Sequence, residues 1–330
     1  MDWTVRSATL DDADRAVGMF NARSRVFYGV DQTTAEDMIG WWKGPRFELE
    51  RDTRIVVDDE GRMIAWAHAG DPGEPYVVLP CGVIVHPDFA DREGLWDDLY
   101  AWAVEHASRF VGQAPEGARV CAVESAMEMD QARRSAVERI GFEMVRVQNV
   151  MRIDLKEAPP AAAWPEGIAV RPAKVDVELE KLARSSREAF RDHWGHVEQP
   201  FEQDLEEWRS WIDSLGERRD PTLWFVAHDG DEIAGLGFFS TEVAGDTTRS
   251  YVETLSVRPA YRKRGVALAL LHHGFGEVHR RGYAAVELDM DSENLTGALR
   301  LYERAGMRVI RKIISYEKTL REGEDLVKRA

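Results

Sequence analysis

Residues 251–270 read YVETLSVRPAYRKRGVALAL and predict a β-strand, a basic turn and the start of a helix. The β-branched run stops at Pro259, which cannot continue a central strand. Gly265 and Ala267 then begin an apolar helix, and a helix N-terminus attracts anions through its free backbone N–H groups and its dipole. The turn itself is crowded with basic side chains, namely Arg258, Arg262, Lys263 and Arg264. The sequence therefore indicates an anion site, although a solvated basic turn would have the same pattern.

This turn resembles the pyrophosphate-binding motif of the GNAT acyltransferase superfamily, Arg/Gln-x-x-Gly-x-Gly/Ala directly after a strand. Residues 262–267, RKRGVA, match every fixed position, whereas the glycine patterns of P-loops and of dinucleotide-binding folds are absent. The resemblance implies that acetyl-CoA is the co-substrate and that no metal is required. It also implies that a backbone N–H of the strand hydrogen-bonds the thioester carbonyl. The cofactor contacts implied in this region are Leu255, Ser256, Val257, Arg262, Lys263, Arg264, Gly265, Val266 and Ala267.

A second segment, residues 294–307 (NLTGALRLYERAGM), resembles the GNAT helix in which an Asn precedes an Ala-x-x-x-Tyr-x-x-x-Gly-Phe run. Met307 stands in place of the usual Phe. The resemblance implies that Asn294 and Ala298 contact the pantetheine arm and that Tyr302 lies near the thioester sulfur. A phenol at that place can protonate the departing thiolate. The alternative is that Tyr302 is only a core-facing aromatic residue of the helix.

Two further sites are predicted for the acceptor side of the reaction. Glu253 precedes Leu255 by two residues on the predicted strand, so the two side chains are expected on one face. This makes Glu253 a candidate general base, although a solvated carboxylate at a sheet edge is an equal alternative. Asp192, His193 and Trp194 follow the first helix of the second half and are expected to border the acceptor. The alternative there is a helix-terminating turn with a packed Trp.

The two halves of the chain repeat the same order of elements, which indicates a tandem duplication. Each half ends with Glu-Arg-x-Gly before a last strand, at Glu138 and at Glu303. The first half lacks the residues that carry the chemistry: Asp91, Glu93, Trp96 and Val137 stand where the second half has Arg262, Arg264, Ala267 and Tyr302. Carboxylates repel a pyrophosphate and an indole fills its space. The first half is therefore predicted to be non-catalytic.

We accordingly predict a mixed α/β protein of two tandem GNAT-like domains. Residues 1–157 form the degenerate domain, 158–166 a Pro- and Ala-rich linker, and 167–330 the catalytic domain. The formal net charge of -16 argues against nucleic-acid binding. The sequence contains neither a run long enough to span a membrane nor a secretory signal pattern, and it has only two cysteines, so we expect a cytoplasmic protein.

The predicted activity is N-acetyl transfer from acetyl-CoA to a primary amine of a small molecule by direct attack. Cys81 and Cys121 both lie in the first half, so an acyl-cysteine route in the second half is excluded. The protein is expected to act as a monomer or homodimer. The alternative from another class is a non-enzymatic CoA-binding regulatory or scaffold protein, which would give no turnover.

Overall fold

The computed structural model of the chain describes residues 3–44, 46–192, 196, 198–243, 245–292 and 297–327. Two compact units divide the chain: Met1–Gln148 with Lys312–Leu326, and Asn149–Arg311 with Val327–Ala330. These units follow packing rather than sequence repetition, so their borders differ from the segments 1–157 and 167–330. The assignment of catalysis to residues 167–330 stays a prediction.

The first unit consists of two sets of strands flanked by helices. Its helices are α1 (Ala13–Tyr28), α2 (Ala35–Trp42), α3 (Leu49–Asp52), α4 (Glu93–Ser108) and α5 (Gln131–Arg139). Its strands are β1 (Trp3–Arg6), β2 (Thr53–Asp58), β3 (Met63–His68), β4 (Val78–Pro80), β5 (Gly82–Val85) and β6 (Val120–Met127). An antiparallel sheet has the order β1-β2-β3-β5. β6 pairs in parallel with β4 and antiparallel with residues 313–321 of β13 (Arg308–Arg321).

The second unit is a mixed sheet with helices on both faces. Its strands have the order β8 (Ile168–Pro172), β9 (Arg219–Asp229), β10 (Glu232–Ser240), β11 (Arg249–Val257), β12 (Ala285–Asp291) and then residues 149–154 of β7 (Glu143–Asp154). The pair β11–β12 is parallel, whereas β8 to β11 are antiparallel neighbours. Its helices are α6 (Val175–Phe190), α7 (Phe201–Ser214), α8 (Val266–Arg280) and α9 (Ala298–Arg304). The predicted mixed α/β class and the predicted strand–turn–helix at residues 251–270 are confirmed.

Contacts along β10 show which helices cover each face of this sheet. A Cβ on Gly237 would touch the side chain of Leu270 at 3.4 Å, so this residue faces α8. Phe238, the next residue, stacks on Trp224 with ring centroids 4.8 Å apart and also stacks on Trp211 of α7. Because side chains alternate along a strand, α8 covers one face and α7 the other. The two helices therefore define the two sides of the sheet at the end of β11.

Candidate functional site

The parallel strands β11 and β12 pair only over their first residues. Their register runs from Arg249 opposite Ala285 to Tyr251 opposite Glu287, although the strands continue to Val257 and Asp291. Beyond that point β11 stays paired with β10 on one edge, while its other edge borders a cavity of about 220 Å³. The residues that line this cavity are Phe190, Val252, Glu253, Thr254, Leu255, Leu288, Asp289, Met290, Asp291, Ala298 and Tyr302.

Four residues singled out from the sequence lie together in this cavity: Glu253, Leu255, Ala298 and Tyr302. They come from β11 and α9, so only the tertiary structure brings them together. Ser256 is buried on the same strand, and no described residue hydrogen-bonds its hydroxyl.

A β-bulge changes the expected orientation of Glu253. Phe238 lies opposite Thr254, but the next residue of β10, Phe239, lies opposite Val252, so Glu253 is the extra residue. Leu255 lies opposite Gly237 and therefore faces α8. The Glu253 carboxylate instead interacts with the indole of Trp211 on the α7 side. The prediction that Glu253 shares a face with Leu255 is wrong, because a bulge shifts the alternation of side chains by one.

The surroundings of Glu253 suit a group that gains and loses a proton. Burial raises the pKa of its carboxyl, and interactions with Ser240, Arg218 and Trp211 offset part of that effect. A carboxylate with a raised pKa is a stronger base than an exposed glutamate. The pocket therefore holds a candidate general base.

Tyr302 comes from α9, which packs against α8. Burial raises the pKa of its phenol to about 12, and no residue in the described part of the chain hydrogen-bonds the phenol oxygen. The phenol is therefore protonated at neutral pH and has its O–H available in the cavity. These are the properties of a proton donor.

The basic turn before α8 presents free backbone donors. Lys263 and Gly265 have φ angles of 60° and 93°, which curl the chain ahead of Val266, the first helical residue. Ala269 donates the first helical hydrogen bond, to the Gly265 carbonyl. Within the described ranges, nothing accepts from the backbone N–H groups of residues 266–268. Such a cluster of N–H groups at a helix start is suited to phosphate oxygens.

The structure pairs two residues that the sequence assigned to different tasks. The Arg262 guanidinium donates to both carboxylate oxygens of Asp192, at 2.5 and 2.9 Å, and to the Ala189 carbonyl at 2.7 Å. Arg262 is thus tied to the end of α6, while Lys263 and Arg264 are exposed. The other residues predicted on this side, His193, Trp194 and Asn294, lie outside the described residues.

The corresponding gap in the first unit is closed. β4 and β6 pair only to Pro80 opposite Val123. Beyond that point the Glu124 carboxylate accepts hydrogen bonds from Arg133 at 2.7 Å, from the Tyr100 hydroxyl at 3.1 Å and from the Val83 N–H at 3.2 Å. A side-chain ion pair therefore occupies the space that is a cavity in the second unit.

Sequence reasoning missed this closure, although a signal was present. Aligning the two Glu-Arg-x-Gly segments places Arg133 opposite Ala298 and Glu124 opposite Asp289. The substitution expected from the sequence, Trp96 in place of Ala267, is buried beneath the turn, and its indole donates to the Ala90 carbonyl at 2.9 Å. Asp289 itself lines the cavity of the second unit and was also missed.

The described residues contain no group of three or more His, Cys, Asp and Glu side chains placed to hold a metal ion. None of the helices in the described ranges has the length and hydropathy that a bilayer crossing demands.

Comparison with known proteins gives consistent matches. The sequence profile of the acetyltransferase (GNAT) family matches residues 179–307. The mycothiol acetyltransferase of Catenulispora acidiphila is 29% identical over 174 residues, 50% of this chain and 52% of that protein. The mycothiol acetyltransferase of Acidothermus cellulolyticus is 28% identical over 273 residues, 77% of this chain and 75% of that protein. The chain thus spans about half the length of the first relative and three quarters of the second.

Two solved structures cover nearly the whole chain. A GCN5-related N-acetyltransferase from Sphaerobacter thermophilus is 31% identical, with a TM-score of 0.79 over 98% of this chain and 97% of that one. A tandem GNAT protein from the clavulanic acid biosynthesis pathway is 13% identical, with a TM-score of 0.74 over 98% and 100%. The second likeness concerns the fold alone, and it extends through both units.

Proposed function

Because the chain belongs to the GCN5-related N-acetyltransferase (GNAT) family, we propose that it transfers an acetyl group from acetyl-CoA to a primary amine of a small molecule, in the second unit. One observation carries the proposal: β11 and β12 separate around a cavity lined by Glu253 and Tyr302, while Arg133 and Glu124 close the first unit's counterpart. Membership of the family supports acyl transfer as the class of reaction. The acetyl-CoA donor, the amine acceptor and the position of the site in the second unit are what we propose.

The residues at the cleft fit acetyl-CoA as co-substrate. The free N–H groups at the start of α8 and the basic side chains of Lys263 and Arg264 would hold the pyrophosphate. The unpaired edge of β11 near Leu255, Ser256 and Val257 would hydrogen-bond the pantetheine arm and the thioester carbonyl. Ala298 leaves room where Arg133 stands in the first unit, and Asn294 is proposed to contact the same arm. When bound, acetyl-CoA supplies an activated acetyl thioester.

Glu253 and Tyr302 divide the proton transfers between them. Glu253 takes a proton from the acceptor ammonium, directly or through water, which frees the nitrogen lone pair for attack. The new bond joins this nitrogen to the acetyl carbon, and the bond that breaks joins that carbon to sulfur. Tyr302 gives its phenolic proton to the departing thiolate. The acylated nitrogen still carries one extra proton, which it releases to solvent as the neutral amide forms. The proton held by Glu253 returns to the phenolate through solvent, so both side chains end in their starting protonation states.

Arg262 and Asp192 act in this proposal as a brace for the turn. Their ion pair and the bond to the Ala189 carbonyl join the pyrophosphate turn to the end of α6. Asp192, His193 and Trp194 stay the proposed border of the acceptor site. A cytoplasmic location and a monomeric or dimeric state likewise stay predictions.

The test is an amine-dependent assay of free CoA release by the full-length protein, with product mass confirming N-acetylation. The expected result is turnover that falls at least about a hundredfold in Glu253→Gln, because the general base is lost. Tight acetyl-CoA binding with no turnover on any amine would instead favour the alternative, a CoA-binding regulatory or scaffold protein.

A further inference from the structure

Two carboxylates face the same small cavity of the second unit. Glu253 reaches it from β11 and Asp289 from β12. The hydroxyl of Tyr251 interacts with the Asp289 carboxylate, and both carboxylates act on that hydroxyl electrostatically. Asp291 also lines the cavity, at the end of β12, and makes interactions of its own. The lining of the cavity therefore includes three carboxylates and no Lys, Arg or His side chain among the described residues.

Both carboxylates lie on the face of the sheet that α7 covers. Tyr251 is opposite Ser240, and Ser240 interacts with Glu253 next to Trp211 of α7. Tyr302 approaches from α9 on the other face, beside α8. The arrangement separates an acidic side, where an amine would enter, from the side proposed for the thioester.

The first unit shows how a carboxylate at this position is neutralised from within the chain. Glu124 corresponds to Asp289, and its partner Arg133 lies 2.7 Å away. In the second unit Ala298 takes the place of Arg133, and no described Lys, Arg or His side chain forms an ion pair with Asp289. Arg311 acts on Asp289 at longer range, and Glu287 on the same strand opposes that effect.

The charges that line the cavity indicate which charges the acceptor molecule carries. Glu253 has to be ionised to accept a proton, and an ionised Asp289, which lines the same cavity and is solvent-exposed, then favours a second positive charge in the cleft. Building on the proposed function, we infer that Asp289 binds a second cationic nitrogen of the acceptor, so that the preferred substrates are diamines or larger polyamines. The ammonium at Asp289 stays protonated and anchors the molecule, while the nitrogen at Glu253 is acetylated.

The experiment compares diamines with monoamines of equal chain length, using putrescine and cadaverine against butylamine and pentylamine. We expect a kcat/KM at least about tenfold higher for the diamines. Asp289→Asn keeps the side-chain shape and an acceptor for Tyr251, and it should remove this preference by raising KM for diamines with little change in kcat. The matched control is Asp231→Asn, an exposed hairpin residue whose replacement changes net charge equally.

Calorimetric titration of the same amines into the protein with CoA makes the outcome independent of turnover. Putrescine binding that is weakened at least about tenfold in Asp289→Asn supports the inference, even if no acetyl product forms and the proposed function fails. Equal kcat/KM for diamines and monoamines in the wild-type protein would overturn the inference while leaving amine acetylation intact. Equal losses on both amine classes in Asp289→Asn would also overturn it, because they indicate a merely structural role.

Discussion

The Arg133 guanidinium lies 2.7 Å from the Glu124 carboxylate, inside the gap between two diverging strands of the first unit. Both side chains are largely buried, and the Tyr100 hydroxyl and the Val83 N–H complete the bonding of the carboxylate. The second unit has Ala298 and Asp289 at the corresponding places and a cavity between its strands. This ion pair fills the gap between the strands of the first unit, whereas the corresponding gap of the second unit is an open cavity.

Arg133→Ala should destabilise the first unit by about 3–5 kcal/mol, because it leaves a buried carboxylate without its cation. Arg139→Ala on the same helix α5 is the control, since its ion pair with Asp97 is partly exposed to solvent and is worth about 1 kcal/mol or less. Urea denaturation followed by fluorescence measures the difference. Equal midpoint shifts for the two variants would contradict the role given to the buried pair.

Acetyl-CoA should bind at one site per chain, in the second unit. Calorimetry should show one site in the wild-type protein and none in Arg262→Ala/Gly265→Trp, in which an indole fills the turn ahead of α8. Gly94→Trp places the same indole at the corresponding turn of the first unit, where a Cβ meets nothing within 4 Å, and should leave binding unchanged. Two sites in the wild-type protein would disprove the closure of the first unit.

Tyr302→Phe should lower kcat about a hundredfold or more and change acetyl-CoA affinity little. The phenylalanine keeps the ring in the cavity but lacks the proton that the departing thiolate needs. Steady-state kinetics with calorimetric Kd values separate the two effects. Wild-type activity in this variant would remove Tyr302 from the mechanism.

The acidic limb of the pH profile of kcat/KM should report the ionisation of Glu253. Its apparent pKa should lie above the ordinary pKa of glutamate. Burial raises the pKa of this carboxyl, and only its deprotonated form accepts a proton, so activity is lost as pH falls through that pKa. The pKa of Tyr302, about 12, keeps its phenol protonated through neutral and mildly alkaline pH. A pH profile of kcat/KM checks this, and a limb that persists unchanged in Glu253→Gln would assign it to another group.

Alanine substitutions at two glycines of α8 should change the stability in opposite directions. At Gly274 the new methyl group would collide with the buried ring of Phe239, so we expect the free energy of unfolding to fall by about 1–3 kcal/mol. At Gly276 the methyl group would meet nothing within 4 Å. Because alanine restricts the unfolded chain more than glycine does, the free energy of unfolding should rise by about 0.5–1 kcal/mol. Thermal or urea denaturation compares the variants, and a gain at Gly274 would contradict the close packing of α8 on β10.

Much of the fold was predictable because the responsible features are local. The strand that ends at Pro259, the turn rich in arginine and the helix that begins after Gly265 depend on backbone preferences and periodicity within twenty residues. The internal repetition predicted two related units, and it identified Trp96 and Val137 as departures from the second half. Family resemblance connected Tyr302 with the strand at Leu255, and the structure places both at one cavity.

The sequence by itself determined the family, the mixed α/β class, the basic turn and the residues Glu253, Ala298 and Tyr302 that line the cleft. Only the tertiary structure decided that Glu253 faces α7, because a bulge depends on the register between β10 and β11. It also decided that Arg262 pairs with Asp192, that Arg133 closes the first unit and that Asp289 enters the cavity. These contacts join residues that are far apart in the chain. Local propensity does not specify them, because only strand pairing and packing over long sequence distances bring these side chains together.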